Sequence, residues 1–102
     1  MITQEGMQKA SSAIYKLMKG IRVITEDGAK KDLPIYEGEA DEAHLKIMGL
    51  IDDTVAGKIS HVQLIDTDNE VFAENNGTIE KSESEGLLVS FMIRLYETGG
   101  IA

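Results

Sequence analysis

The stretch from Ile59 to Glu74, which reads ISHVQLIDTDNEVFAE, narrows the possible folds more than any other part of this sequence. Apolar and polar residues alternate on both sides of a short acidic segment, and a period of two is typical of a half-buried strand. Asp and Asn favour turns because they hydrogen-bond the local backbone and tolerate a left-handed conformation. The stretch therefore predicts two antiparallel strands joined by a tight turn at Asp66–Glu70. It contains no catalytic motif, which favours a structural or binding module over an enzyme.

The first part of the chain predicts one helix over residues 3–19. Thr3 is the expected N-cap, Glu5 suits the positive end of the helix dipole, and Gly20 stands where a left-handed C-cap would lie. Apolar residues recur at helical spacing and form one stripe, which contains Met7, Ala10, Ile14, Leu17 and Met18. The stripe predicts packing against a sheet or against a second copy of the helix.

The period then changes to two, and the rest of the chain predicts about five to seven short strands. Asp27-Gly28 is a strong signal for a hairpin turn. Pro34 predicts that the strand starting near residue 30 is short or lies at an edge, because proline donates no backbone hydrogen bond. Residues 37–42 are expected to form an acidic loop, and residues 75–77 (Asn-Asn-Gly) a turn.

Residues 87–97 form the longest predicted strand. One of its faces is continuously apolar and contains Leu87, Val89, Phe91, Ile93 and Leu95. The opposite face is partly apolar through Leu88, Met92 and Tyr96. A strand that is apolar on both faces lies centrally in a sheet or contributes to an interface.

The fold class expected from these patterns is α+β and mainly β, with an N-terminal helix followed by an antiparallel sheet, a sandwich or a small barrel. The chain has 102 residues, the size of one domain, so we expect a single domain over residues 1–102. The β region is expected to span residues 21–97, and the Gly-rich residues 98–102 to form a frayed tail.

The charge and composition exclude several classes of partner. The net charge is −8 at pH 7, and fourteen of the eighteen acidic residues follow residue 36. An acidic body disfavours phosphate backbones and anionic membranes, so neither nucleic acid nor a membrane is an expected partner. The absence of cysteine excludes disulfides, thiolate nucleophiles and cysteine-bound zinc. The N-terminus lacks the apolar segment of a signal peptide, and no apolar run approaches the ~18 residues of a membrane span.

The chain offers little material for catalysis. An enzyme would require His44 or His61 to pair with a buried carboxylate in a pocket, and a shared metal would require both histidines and a third ligand close together. We expect solvent exposure, and no catalytic role, for the four acidic residues of the predicted loop, Glu37, Glu39, Asp41 and Glu42. No nucleophile elbow, phosphate loop or dinucleotide motif is present. Neither a catalytic residue nor a cofactor is predicted.

Asp66 and Asp68 remain as candidate metal ligands, because they begin a pattern similar to a calcium loop. An EF-hand also requires Gly at loop position six and Glu at position twelve, where this chain has Val71 and Gly77. An EF-hand is therefore excluded, and the pair is expected to cap a hairpin turn unless a looser calcium site forms.

Two phrases of the sequence resemble a known family. Residues 2–6 read ITQEG before the predicted helix, and Leu64–Glu74 reads LIDTDNEVFAE, close to the pattern L-[IV]-D-x-D-G-[ND]-V-[FI]-A. Together they resemble small tail-associated proteins of phages and prophages of Gram-positive bacteria, where the second pattern belongs to tail-fibre and baseplate modules. The resemblance spans most of the chain. Asn69 stands where the pattern has Gly, and the turn is expected to persist because Asn also accepts a left-handed φ.

The resemblance implies a non-enzymatic virion component, assembled in the bacterial cytoplasm, that forms a homo-oligomer or docks to a larger tail protein. Candidate interface residues on the helix stripe and the last strand are Met7, Ile14, Leu17, Met18, Leu88, Met92 and Tyr96. The alternative is a small calcium- or carbohydrate-binding β module, suggested by the acidic turns at Asp52-Asp53 and Asp66–Glu70. The absence of Trp argues against the carbohydrate form.

Overall fold

The computed structural model describes residues 2–40, 44–52, 54–82 and 86–95, and within them it contains one helix followed by six strands. Tyr96 and the predicted tail at residues 98–102 lie outside these ranges. The elements in chain order are α1 (Gln4–Lys16), β1 (Met18–Thr25), β2 (Lys30–Ala40), β3 (His44–Ile51), β4 (Gly57–Asp66), β5 (Val71–Lys81) and β6 (Leu87–Arg94).

The six strands form one antiparallel sheet in the order β5-β4-β1-β2-β3-β6. The sheet is nearly closed, which gives the fold a barrel-like form. A mainly β fold with an N-terminal helix is therefore confirmed, and six strands fall within the predicted range. The strands do not form the sandwich that was the second possibility.

The core lies on the inner face of this curved sheet. Residues alternate in burial along β3, as expected for a strand with one face on the core. The side chains that are buried almost completely include Ile21, Val23, Leu45, Ile47, Ile51, Ile59 and Leu64. Aliphatic residues from at least three strands thus fill the interior, as the scarcity of aromatic residues requires.

β2 lies inside the sheet, although Pro34 predicted an edge strand or a short one. It pairs with β1 from Lys30 to Pro34, and with β3 from Ile35 to Ala40. Pro34 therefore stands where the strand changes its partner, and its missing N–H group interrupts no continuous ladder. The prediction of an acidic loop was wrong for residues 37–40, which belong to β2 and whose acidic side chains are exposed.

β5 is continuous where the sequence predicted a turn at residues 75–77. Between the pairs Ile59–Ile79 and His61–Asn76, β5 contains one more residue than β4. A bulge of this kind accommodates Asn and Gly without ending the strand, so local turn propensity was misleading here.

The two predicted hairpin turns are confirmed. Gly28, between β1 and β2, has φ +90°. Between β4 and β5, Asn69 has φ +63°, and Asp66 Oδ1 accepts hydrogen bonds from the N–H groups of Asp68 and Glu70 at 2.9 and 3.0 Å. Asn69 thus takes the left-handed conformation expected of it, and the turn forms without glycine.

α1 begins where the sequence predicted and ends earlier. Thr3 is the N-cap, and its Oγ1 accepts a hydrogen bond from the N–H of Gly6 at 3.0 Å. The helix ends at Lys16 and not at residue 19. Leu17 is the C-cap, and its carbonyl accepts a hydrogen bond from the N–H of Thr67 in the β4–β5 turn at 2.8 Å. Because this contact is tertiary, apolar periodicity could not predict it.

The buried face of α1 is rotated relative to the predicted stripe. Ser11 is fully buried, whereas Ala10 is exposed. The half-buried residues of the helix include Met7, Ile14 and Tyr15. A small polar residue therefore occupies the centre of the face that the sequence assigned to larger apolar ones.

Replacing Ser11 with Ala is expected to raise the free energy of unfolding by about 1 kcal/mol. The Ser11 hydroxyl is buried and has no hydrogen-bond partner among the residues that the structure describes, so its desolvation is uncompensated. Alanine also has the higher helix propensity. Urea denaturation of the two proteins measures the change, and a less stable Ser11→Ala variant would show that the hydroxyl has a partner in solution.

Candidate interaction surface

Two exposed apolar side chains lie on the outer face of β6, beside half-buried apolar residues of β3. Met92 and Leu88 are 62% and 55% exposed, whereas Phe91 between them is only 9% exposed. Leu50 and Met48 of β3 lie on the same outer side and are half-buried. We call the outer face formed by Met48, Leu50, Leu88 and Met92 the β3–β6 surface. The assignment of Leu88 and Met92 to the face opposite the core is as predicted.

β6 is also the last strand of the sheet. In the described part of the chain it pairs only with β3, through eight consecutive residue pairs without a register shift. Every second residue of an edge strand turns its N–H and C=O groups away from the sheet. β6 therefore presents a regular edge whose outward backbone groups pair with no other described strand.

The opposite edge, β5, has a different character. Its pairing with β4 contains two register shifts, and Glu74 and Glu80 are exposed along it. In β6 the only charged residue is Arg94, the last residue of the strand. Bulges and charges discourage an edge strand from pairing with another chain. The β5 edge is thus protected against pairing with another chain, and the β6 edge is less protected.

The interface candidates on the predicted helix stripe do not share one accessible surface in the structure. Met7 is half-buried, Ile14 packs against the core, and Leu17 is 50% exposed beside the β4–β5 turn. Met18 lies in β1 and is only 7% exposed, so it belongs to the core and not to an accessible face. The placement of Met18 on the helix was wrong because α1 ends two residues before it.

A row of polar side chains crosses the outer face of the other half of the sheet. Arg22 Nε donates to Asp32 Oδ1 at 2.7 Å, and Gln63 Nε2 donates to Glu74 Oε1 at 3.0 Å. Arg22 and Gln63 are themselves opposite each other in register. These cross-strand pairs connect β5, β4, β1 and β2 and stabilise their register.

A depression of about 270 Å³ lies beside this row, on the outer face near Gly20. Its lining includes Lys19, Gly20, Asp32, Pro34, Ile65 and Asn69. None of the described residues that line it is aromatic, so these residues offer no ring platform on which a sugar could stack. Its geometry gives no support to the carbohydrate-binding alternative.

The two histidines are not brought together. His44 is on β3 and His61 is on β4, and two strands separate them in the sheet. His61 Nδ1 lies 2.7 Å from Asn76 Oδ1 and 3.4 Å from Glu74 Oε1, and the Glu74 side chain is partly exposed. A metal shared by the two histidines would require them to be adjacent, and this sheet order keeps them apart.

The Asp66 carboxylate is engaged within its own turn, since Oδ1 accepts the two backbone hydrogen bonds from Asp68 and Glu70. Among the residues that the structure describes, no group of three or more His, Cys, Asp or Glu side chains could hold a metal ion. Asp53, which the calcium hypothesis also used, lies outside these residues. The observed geometry favours turn capping as the role of Asp66.

Three aspartates have a pKa below the usual range, chiefly through a hydrogen bond to another side chain: Asp32 with Arg22, Asp27 with Thr25, and Asp52 with Thr54. A carboxyl group whose pKa is lower in the folded than in the unfolded state stabilises the fold above its unfolded pKa. That contribution is lost as the pH falls through the folded pKa.

We therefore expect the free energy of unfolding to fall as the pH is lowered below about 4, the unfolded pKa of aspartate. Because these side chains are largely exposed, each contribution is screened by solvent and small. Urea titrations between neutral and strongly acidic pH measure the profile. An Asp32→Asn variant should lose less stability on acidification than the wild type, and an identical acid profile would contradict the role of this pair.

The chain matches no family model, no curated protein and no solved structure. In the described part of the chain, no helix has the length and apolar character needed to cross a membrane.

Proposed function

We propose that this protein is a non-enzymatic structural component of a phage or prophage tail, and that it acts by binding other proteins through the β3–β6 surface. The observation that carries the proposal is the exposure of Leu88 and Met92 on an edge strand that has no bulge and whose only charged residue is Arg94 at its end. Exposed apolar residues beside an open edge are typical of protein interfaces.

The assignment to a tail is supported by the resemblance of residues 2–6 and Leu64–Glu74 to tail-associated proteins. The second phrase forms the β4–β5 hairpin. Asn69 adopts a left-handed conformation there, at the position where the family pattern has glycine. The partner in this role is a second copy of the chain or a larger tail protein, and its location is the virion.

Several polar side chains that could in principle take part in chemistry make contacts within the fold. Asp66 caps the β4–β5 turn, Arg22 binds Asp32, and His61 contacts Asn76 on the neighbouring strand. This arrangement supports a protein that works through the shape of its surface. The acidic net charge of −8 supports a protein partner over nucleic acid.

The test is the mass of the purified protein in solution, measured by light scattering alone and after co-expression with the proteins encoded by neighbouring genes. We expect an oligomer or a complex, and a variant with Leu88→Ser and Met92→Ser should lose it. Val71→Ser is the matched control, because Val71 is a 49% exposed apolar residue on the other edge strand. A strict monomer at high concentration that binds none of the neighbouring proteins would contradict the proposal.

A further inference from the structure

We propose that β6 pairs with β6 of a second copy of this chain, in antiparallel orientation about a two-fold axis at Ser90, so that two sheets join edge to edge. This inference rests on the proposed function and specifies the partner of the β3–β6 surface. It concerns a geometry that can be tested independently of any virion.

The outer edge of β6 is best suited to bind another extended strand. β6 pairs with β3 in regular register along its whole length, so its outward N–H and C=O groups form an uninterrupted row. Only another strand satisfies such a row completely, as in the addition of a strand to a sheet edge. A helix or a small ligand would leave most of these groups without a partner.

The sequence of β6 is complementary to itself in the antiparallel direction. With Ser90 on the axis, Leu88 lies opposite the partner's Met92, so the two exposed apolar side chains of one copy meet those of the other. On the inner face, Val89 lies opposite the partner's Phe91. Opposed apolar residues on neighbouring strands stabilise the pairing. An axis one residue further along, at Phe91, would place Leu88 opposite the partner's Arg94 and lose these pairs.

Charge also favours this edge as the contact between two copies. Each chain carries a net charge of −8, so two copies repel each other over most of their surfaces. β6 is uncharged from Leu87 to Ile93, whereas β5 exposes Glu74 and Glu80. The edge-to-edge contact at β6 therefore avoids opposing carboxylates. Since long-range repulsion is screened by salt, the dimer should become tighter as the ionic strength rises.

Cross-linking through a single introduced cysteine tests the axis. The chain contains no cysteine, so Ser90→Cys creates one exposed thiol. Residues opposite each other in an antiparallel pair have Cα atoms about 4.5–5.5 Å apart, within the range that a disulfide spans. We expect Ser90→Cys to form a covalent dimer under mild oxidation, and Thr78→Cys on β5 to remain largely monomeric. Equal cross-linking of the two variants would overturn the proposed axis.

A charge-swap experiment tests the pairing without a covalent bond. A double variant with Leu88→Lys and Met92→Lys places like charges opposite each other, and so does the double variant with Leu88→Glu and Met92→Glu. We expect each to raise the dimer dissociation constant more than about tenfold, and their equimolar mixture to dimerise again. All four side-chain changes are at exposed positions, so folding should persist, and circular dichroism checks it.

The possible results separate this inference from the proposed function. Concentration-dependent dimers that respond to the charge swap support the inference. Dimers that are insensitive to these substitutions would overturn it while leaving a structural role through another surface. A wild-type protein that stays monomeric at millimolar concentration would also overturn it, whereas the proposed function would then depend on the co-expression experiment with neighbouring gene products.

Discussion

Replacing Gly20 with Ala is expected to lower the free energy of unfolding by about 3 kcal/mol or more. A Cβ atom at this position would lie 2.3 Å from the backbone carbonyl oxygen of Leu33 in β2. Backbone atoms in the middle of a sheet cannot move aside as the end of a side chain can, so β1 and β2 would have to separate. The separation would disturb the place where β2 changes partner at Pro34.

Gly77→Ala is the matched control, because a Cβ atom there would have no heavy atom within 4 Å. Its effect on stability should stay within about 0.5 kcal/mol, as at other open surface positions. Chemical denaturation of both variants measures the difference. Equal stability of Gly20→Ala and Gly77→Ala would mean that β1 and β2 do not approach each other closely at Gly20.

Replacing Gly38 with Ala is expected to destabilise the protein by about 2 kcal/mol by displacing α1 from the sheet. A Cβ atom at Gly38 would lie 1.8 Å from Cε2 of Tyr15, whose ring rests on the backbone of β2. The aromatic ring would have to leave its place on β2, and the contact between the helix that carries it and the sheet would be lost. The absence of a side chain at Gly38 thus allows Tyr15 of α1 to pack directly on β2.

A double-mutant cycle with Tyr15→Ala isolates this contact. In the absence of the ring, Gly38→Ala should cost little, so the two substitutions together should cost less than the sum of their separate effects. Urea denaturation supplies the four free energies. Strict additivity would show that Tyr15 does not pack on Gly38 and that the helix is held by other contacts.

Local chemistry was sufficient to predict the turns and the alternation of faces. The hairpin at Asp27-Gly28, the left-handed Asn69 and the outward direction of Leu88 and Met92 follow from side-chain preferences that act within a few residues. Predictions failed where contacts between residues far apart in the sequence determine the local structure. The hydrogen bond from Thr67 ends α1 early, and a change of pairing partner places Pro34 inside the sheet.

The candidate surface was predictable only in part for the same reason. Apolar alternation placed Leu88 and Met92 on one face, but it could not indicate that β6 ends the sheet, because strand order depends on pairings across the whole chain. The burial of Ser11 was missed because a polar residue gives no apolar signal. The small size of Ser11 could have indicated its burial, because small residues allow a helix to approach a sheet closely.

Backbone hydrogen exchange, measured as the protein concentration rises, tests most directly whether this chain works through the edge formed by β6. We expect the amides in Leu87–Arg94 to become more protected as the concentration rises, while those of Val71–Lys81 on the other edge stay unchanged. Protection that is independent of concentration in β6, or that increases in β5 instead, would contradict it.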